Sequence, residues 1–199
     1  RLDFSCAIFD QTGALVAIDP NNGSVLALAN YPSFDLSLFG SGQVDPVAWR
    51  EIAEDDRNPM YNRAVSSRDT PGSIFKVVTL ASALESAPGI TGRAFSCEGT
   101  HAYGEVELRC IKGTVHGELT LKAAFAKSCN VTFGAIAYEL GKDSLARSAE
   151  AMGFNDNFKF EDIVLYESTF PSDIGSAGEL AWTGVGQGRT LVTPLHMAM

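Results

Sequence analysis

The sequence has no excess of positive charge, since 24 Asp and Glu residues outweigh 15 Lys and Arg residues and give a formal net charge of −9. A protein that binds DNA or RNA needs a basic surface against the phosphates, so this composition excludes the nucleic-acid-binding class. The acidic residues between Glu51 and Asp56 are most simply interpreted as a solvated face.

Long apolar runs are also lacking. No stretch reaches the length of about eighteen apolar residues that a membrane-spanning helix requires, and Arg1-Leu2-Asp3 does not begin a cleavable leader. We therefore expect an interior start at Arg1, with any membrane anchor or export signal in sequence outside this chain. The residues that are present, 45% hydrophobic and 20% charged over 199 positions, are typical of a globular domain.

The glycine-rich segment Gly184–Gly188 does not match a nucleotide-binding motif. It lacks the Lys-Ser/Thr pair of a phosphate-binding loop and the strand-loop-helix setting of a dinucleotide fingerprint. We expect no cofactor here, and we interpret the segment as a tight loop at the edge of a cleft.

A serine and a lysine stand three residues apart, at Ser73 and Lys76, where a Pro-Gly turn leads into an apolar run. If a helix begins at Ser73, this spacing places both side chains on one face. A free hydroxyl is a poor nucleophile at neutral pH, and a lysine whose pKa is lowered by burial can take its proton. The apolar neighbours Ile74, Phe75 and Val77 indicate such burial. The alternative is a structural helix start, with Ser73 as N-cap and Lys76 as a solvated charge.

A second candidate segment contains Ser128 and Asn130, between two helical patterns. In a turn, both side chains can point into one cleft. The serine could relay a proton from Lys76 to a leaving group, while the Asn130 amide could bind a substrate peptide. The alternative is local capping, because Ser and Asn are common at helix ends.

The coarse pattern of the chain is that of an α/β protein of the α+β type. Turn residues between the apolar runs Ala14–Ile18 and Val25–Ala29 predict an antiparallel hairpin. The stretch from Phe95 to Gly117 is predicted to be short-stranded or irregular. Helices are predicted near Val47–Glu54, from Ser73 to about Pro88, at Leu121–Lys127, at Val131–Leu140 closed by Gly141, and at Ser144–Met152 with Asp143 as N-cap. The implied architecture is an antiparallel sheet packed against a helical lobe, with the cleft between them.

These motifs resemble the transpeptidase domain of penicillin-binding proteins, the serine acyltransferases that cross-link the bacterial cell wall. Ser73-x-x-Lys76 and Ser128-x-Asn130 correspond to two motifs of that family. The order of these motifs and the residues within them look most like those of the class B members. The resemblance extends over nearly the whole chain, through Gly13–Pro20, Asn62–Ala64, His116–Gly117, Gly186–Gly188 and Val192–Leu195.

The resemblance implies a penicillin-binding/serine-β-lactamase-like transpeptidase fold that is incomplete at its carboxyl-terminal side. The third motif of the family, Lys-Thr-Gly, is not found in this sequence. The family places it on a strand beyond Thr193-Pro194-Leu195. We therefore expect residues 1–199 to be the amino-terminal part of one transpeptidase domain.

The implied activity is that of a penicillin-binding D,D-transpeptidase. Ser73 would form the acyl-enzyme, Lys76 would take its proton, Ser128 would relay a proton, and Asn130 would bind the substrate. The implied partners are peptidoglycan stem peptides, β-lactam antibiotics and proteins of a division or elongation complex, at the extracytoplasmic face of the bacterial membrane. Two alternatives stay open: a β-lactamase or β-lactam sensor domain, and a non-catalytic cell-wall scaffold.

The four cysteines are Cys6, Cys97, Cys110 and Cys129. With an extracytoplasmic location, Cys97 and Cys110 form either a disulfide or two thiols, and we favour the disulfide. A zinc site at Cys97, Cys110 and two histidines, His101 and His116, is the alternative, but no standard close ligand pair is present, so we predict no metal. Cys129 is predicted to be a small buried filler rather than a nucleophile.

Overall fold

The computed structural model describes residues 12–40, 42, 44–157, 159–160 and 163–199. Cys6 and the predicted interior start at Arg1 lie outside the described residues. The chain divides into two compact units. The first comprises residues 1–67, 159–166 and 193–199, and the second comprises residues 68–158 and 167–192.

Within the described residues, the strands are β1 (Gly13–Ile18), β2 (Val25–Tyr31), β3 (Ala94–Cys97), β4 (Thr100–Tyr103), β5 (Val106–Arg109), β6 (Gly117–Thr120), β7 (Lys159–Phe160) and β8 (Ile163–Val164). The α-helices in the same part of the chain are α1 (Pro46–Ala53), α2 (Arg63–Ser66), α3 (Lys76–Ser86), α4 (Leu121–Ala126), α5 (Asn130–Ala151), α6 (Ala177–Gly184) and α7 (Pro194–Ala198). None of these described helices is both long and apolar enough to span a bilayer.

The first unit contains the predicted hairpin. Strands β1 and β2 pair antiparallel, with Gly13 opposite Tyr31 and Leu15 opposite Ala29. The turn is closed by the Asp19 carboxylate, whose Oδ1 accepts a hydrogen bond of 2.9 Å from the Asn21 backbone N–H. The hairpin prediction is therefore confirmed.

The predicted short helix in the first unit is also confirmed, as α1. Asp45 is its N-cap and accepts a hydrogen bond from the Val47 backbone N–H, and Pro46 occupies the first turn. Capping oxygens and an early proline are both favoured at helix starts, because the first N–H groups have no partner within the helix.

The second unit is built on α3, α5 and α6, which pack around a buried apolar core. Glycines allow α5 and α6 to approach closely, since a Cβ at Gly184 would overlap the Cβ of Ala137. Three residues earlier on α5, a Cβ at Gly134 would overlap the Leu108 side chain and would lie 3.4 Å from the Cβ of Ala181 in α6. The core itself includes Leu108, Phe133, Ile136 and Ala181, each at most 1% exposed.

The strands of the second unit form two small antiparallel pairs. Strand β3 pairs with β6, with Cys97 opposite Gly117, and β4 pairs with β5, with Thr100 opposite Arg109. This agrees with the short-stranded region that the sequence predicts between residues 95 and 117. The mixture of helices and antiparallel strands confirms the α+β assignment.

Two predicted helix boundaries need correction. Helix α3 begins at Lys76, because Gly72–Phe75 form a 3-10 turn before it. The two helices predicted on either side of Gly141 are confirmed, because α5 consists of two helical segments that meet at a kink at Gly141, where φ is 76° and ψ is 164°. The second segment begins earlier than predicted, so Asp143 lies within it and is not its N-cap.

Candidate active site

Ser73 lies in the tight turn Gly72–Phe75 and its side chain is exposed. The Gly72 backbone N–H donates a 2.7 Å hydrogen bond to the carbonyl of Gly186. Gly186 has φ 78°, and a Cβ there would overlap the Gly72 carbonyl and the Phe75 Cβ. A glycine at 186 is therefore what permits this close approach, because it has neither a Cβ nor a penalty for positive φ.

Phe75 anchors the same turn to the core. Its side chain is fully buried. The ring stacks on Phe170 with 5.9 Å between centroids and meets Phe154 edge-on at 5.6 Å. One turn further along α3, the Thr79 hydroxyl donates a 2.6 Å hydrogen bond to the Gly184 carbonyl. These contacts fix the direction in which Ser73 projects.

Lys76 is buried, with 1% of its surface exposed. Its Nζ lies 3.0 Å from Ser73 Oγ and 3.0 Å from both the carbonyl oxygen and Oγ of Ser128. It lies 2.6 Å from Asn130 Oδ1. A neutral amine has two N–H bonds and one lone pair. It can donate to the Ser128 carbonyl and to Asn130 Oδ1, which only accept, and its lone pair can then accept the Ser73 proton.

Burial lowers the pKa of Lys76 to about 8, and the nearby Cys110 and Cys129 thiols partly oppose this shift. Removing an ammonium from water favours its neutral form, which is the form that can act as a base. The burial predicted from the apolar neighbours Ile74, Phe75 and Val77 is confirmed, but among them only Phe75 is itself buried. Ile74 is 52% and Val77 49% exposed.

Ser128 adopts a left-handed conformation, with φ 52°, between α4 and α5. Its backbone N–H donates a 2.9 Å hydrogen bond to the Phe125 carbonyl. In this conformation both the carbonyl oxygen and the hydroxyl of Ser128 contact Lys76 Nζ. A left-handed non-glycine residue costs of order 1–3 kcal/mol, and such residues concentrate at functional sites.

Asn130 is the first residue of α5, and its amide is held at both ends. Oδ1 accepts from Lys76, and Nδ2 donates a 2.9 Å hydrogen bond to the Arg109 carbonyl. The N-cap of α5 is Cys129, whose sulfur accepts from the Thr132 backbone N–H. The capping alternative for Asn130 is therefore wrong, because its side chain spans other elements.

The structure thus brings together all four predicted residues: Ser73, Lys76, Ser128 and Asn130. The sequence analysis missed the Arg109 carbonyl, because any residue type supplies a carbonyl and no motif signals it. An open groove of about 520 Å³ lies beside this group. Its lining includes Arg109, Asn130 and Trp182.

The cysteine predictions have mixed outcomes. The sulfurs of Cys97 and Cys110 lie 3.7 Å apart, whereas a disulfide bond is about 2.05 Å long. Both are free thiols, so the predicted disulfide is wrong for this structure. Cys129 is fully buried, as predicted. Burial raises its pKa to about 11, which makes it a poor nucleophile.

A buried lysine amine in contact with an exposed serine hydroxyl defines the class of active-serine acyltransferases, in which such a pair generates the nucleophile. The family model for the penicillin binding protein transpeptidase domain matches residues 13–199. The chain belongs to this family.

Its relatives are class B penicillin-binding proteins. Peptidoglycan D,D-transpeptidase PbpA of Mycobacterium tuberculosis is 33% identical over 192 residues, which are 94% of this chain and 39% of PbpA. The chain therefore spans well under half of that relative.

Solved structures show the same fold. Penicillin-binding protein A from M. tuberculosis, solved as a ceftriaxone acyl-enzyme complex, matches with a TM-score of 0.85 and 31% identity over 93% of this chain and 43% of that chain. Penicillin-binding protein PBP2 of Helicobacter pylori, in complex with MreC, matches with a TM-score of 0.86 and 25% identity over 93% of this chain and 36% of that chain.

Proposed function

We propose that residues 1–199 are the amino-terminal part of one transpeptidase domain, in a D,D-transpeptidase that cross-links peptidoglycan through an acyl-enzyme on Ser73. The observation that carries this proposal is the 3.0 Å separation of Ser73 Oγ and Lys76 Nζ, with the lysine buried. Family membership and the name of the M. tuberculosis relative support the same activity.

In the first half-reaction, Ser73 Oγ attacks the carbonyl carbon between the two terminal D-alanines of a stem peptide. Neutral Lys76 takes the hydroxyl proton as the C–O bond forms. The tetrahedral intermediate then breaks its C–N bond, and the departing D-alanine amine receives a proton through the Ser128 hydroxyl. The products are an ester on Ser73 and free D-alanine.

Asn130 positions the substrate in this scheme. With Oδ1 held by Lys76 and one Nδ2 hydrogen held by the Arg109 carbonyl, the second Nδ2 hydrogen is available to a substrate carbonyl. The developing oxyanion binds the backbone N–H of Ser73 and a second N–H. We place that second N–H on the Lys-Thr-Gly strand of the family.

In the second half-reaction, an amine of a neighbouring stem peptide attacks the ester carbonyl, the C–O bond to Ser73 breaks as the cross-linking amide forms, and the amine's proton returns to Ser73 Oγ through Lys76. Water in place of the amine gives carboxypeptidase activity. A β-lactam acylates the same hydroxyl, because its amide carbonyl resembles the scissile D-alanyl carbonyl. The ceftriaxone acyl-enzyme of the M. tuberculosis relative supports this step.

The location and partners of the whole protein follow from the same proposal. We place the domain at the extracytoplasmic face of the bacterial membrane, attached by an anchor outside this chain. A protein of a division or elongation complex would bring the domain to its stem peptides. The complex of H. pylori PBP2 with MreC supports a protein partner for this domain.

The test is covalent labelling of the full-length protein by a fluorescent penicillin. Ser73→Ala should abolish the label, and Ser86→Ala should retain it, because Ser86 is an exposed serine at the end of the same helix. Peptide mass spectrometry locates the modified residue. A label on a residue other than Ser73 would overturn the proposal. Rapid loss of the label with release of hydrolysed penicillin would favour a β-lactamase instead.

A further inference from the structure

Three thiols and one imidazole meet in the second unit, close to the Ser128–Asn130 segment. Cys97 ends β3, Cys110 follows β5, His116 precedes β6, and Cys129 is the N-cap of α5. Their ligand atoms all lie within 4.8 Å of one another. The three cysteines are buried and the histidine is half-buried.

Four of the six distances between these ligand atoms fit a tetrahedron of metal ligands, and the other two, from Cys129 to Cys97 and to His116, are within 4.8 Å. A zinc ion with ligands at about 2.3 Å for sulfur and about 2.0 Å for nitrogen sets neighbouring sulfurs about 3.8 Å apart and sulfur and nitrogen about 3.5 Å apart. The Cys110 sulfur lies 3.7 Å from that of Cys97 and 3.8 Å from that of Cys129. The Nδ1 atom of His116 lies 3.4 Å from the Cys97 sulfur and 3.7 Å from the Cys110 sulfur.

We propose that Cys97, Cys110, His116 and Cys129 bind one zinc ion in a closed structural site. Three thiolates and an imidazole are soft and borderline ligands, which select zinc over magnesium or calcium. Four protein ligands complete a tetrahedral shell, so the site keeps no open position for catalysis. This differs from the sequence prediction of no metal, which considered His101 and His116 together and did not include Cys129.

The backbone holds these ligands in place. The Cys110 N–H donates to the Gly99 carbonyl at 2.9 Å, and the His116 N–H donates to the Cys97 carbonyl at 3.1 Å. At Cys129, the sulfur accepts from the Thr132 N–H at 3.4 Å and from the Thr132 hydroxyl at 3.3 Å. Donors to a ligating sulfur are a regular feature of metal sites, because they orient the ligand and stabilise its charge.

The odd number of thiols in the cluster, three, also favours a metal, if the protein has the proposed extracytoplasmic location. In an oxidising compartment, three buried cysteines in contact would form one disulfide and leave one thiol unpaired. A bound zinc ion uses all three sulfurs and the nearby imidazole, and it protects the thiolates from oxidation.

The site also has a consequence for the proposed reaction. Cys129 lies between Ser128 and Asn130, and Cys110 follows Arg109, whose carbonyl accepts from Asn130 Nδ2. One ion bound to Cys110 and Cys129 would therefore hold both the segment that contains Arg109 and the segment that contains Asn130, and so would fix the hydrogen bond between them. The zinc ligands are positioning residues in this account, since they act on the reaction through Ser128 and Asn130.

The first test is the metal content of the full-length protein, purified without chelator and dialysed. Inductively coupled plasma mass spectrometry should find about one zinc per chain, as expected of a closed structural site. His116→Ala should lose the metal. His101→Ala is the matched control and should keep it, because His101 is exposed and its ring packs on Tyr103 at 4.7 Å.

A second measurement needs no variant and so does not depend on variant folding. Zinc-edge X-ray absorption of the wild-type protein should show three sulfur neighbours and one nitrogen neighbour. Absence of zinc from the folded wild-type protein, or a disulfide between Cys97 and Cys110 in protein from its natural host, would overturn the proposal.

Removal of the ion separates this proposal from the proposed function. Stripping zinc should slow penicillin labelling of Ser73, and added zinc should restore the rate. Ser73→Ala should bind zinc normally and remain unlabelled. If wild-type protein contains zinc but is never labelled, the transpeptidase proposal fails and the metal site stands. If it is labelled but binds no zinc, the reverse holds.

Discussion

Asn130 Oδ1 lies 2.6 Å from Lys76 Nζ, the shortest of the four contacts that this buried amine makes. Since the other end of the amide donates to the Arg109 carbonyl, the orientation of the Asn130 side chain is set on both sides. The proposed base is thus held by a neutral amide. A carboxylate in the same place would keep the lysine charged.

Lys76→Met should remove the base without introducing a new charge. We expect the rate of penicillin acylation to fall at least about a hundredfold, the usual contribution of a positioned general base. Stopped-flow labelling measures this rate. Lys122→Met is the control, because Lys122 is exposed on α4. Acylation of Lys76→Met at the wild-type rate, in protein with an unchanged Tm, would show that the proton goes elsewhere.

The acylation rate should rise with pH. The pKa of Lys76 is lowered to about 8 by burial, and only the neutral amine can accept the Ser73 proton. The reactive fraction is therefore small at pH 6, half at about pH 8, and nearly complete at pH 9.5. The other side chains that contact the amine, those of Ser73, Ser128 and Asn130, carry no group that titrates in this range. A rate that is flat between pH 6 and 9 would contradict the role of Lys76.

Asn130→Asp should slow acylation at neutral pH and shift the rising limb to higher pH. A carboxylate next to Nζ stabilises the ammonium and raises the pKa of Lys76, and each unit costs about tenfold in the reactive fraction. The rate–pH profile measures the shift. Asn157→Asp makes the same charge change at an exposed position, and its profile should match the wild type.

Gly186→Ala and Gly188→Ala form a matched pair. Both glycines have positive φ, 78° and 81°, so either alanine incurs a backbone cost of about 1–2 kcal/mol. Only at 186 would the new Cβ also overlap the Gly72 carbonyl, whereas at 188 the nearest atom is the Thr183 hydroxyl at 3.9 Å. Acylation should therefore drop in Gly186→Ala and be nearly unchanged in Gly188→Ala, with unfolding measured by urea titration for both. Equal labelling rates would show that the Gly72–Gly186 contact does not position Ser73.

Local patterns predicted the parts of the structure that depend on neighbouring residues. The hairpin of β1 and β2 follows from two apolar runs around a turn, and α1 follows from its capping Asp45 and Pro46. Two helix starts were wrong locally, at Ser73 and at Asp143, and the predicted disulfide failed over a longer distance. Cys97 and Cys110 bracket a hairpin as a disulfide pair would, but their sulfurs stop 3.7 Å apart. For Asn130, the alternative of local capping is excluded, since Cys129 caps the helix and the Asn130 side chain contacts Lys76 and Arg109.

The sequence alone determined that Ser73 and Lys76 are close, because a separation of three residues within one helical turn places two side chains together in any fold. It also determined the acidic surface, which depends only on composition. Only the tertiary structure decided that Lys76 is buried, that Ser128 and Asn130 contact it, and that Cys129 lies beside Cys97, Cys110 and His116. Those contacts connect segments up to 54 residues apart, and their distances depend on how α3, α5 and the small strands pack.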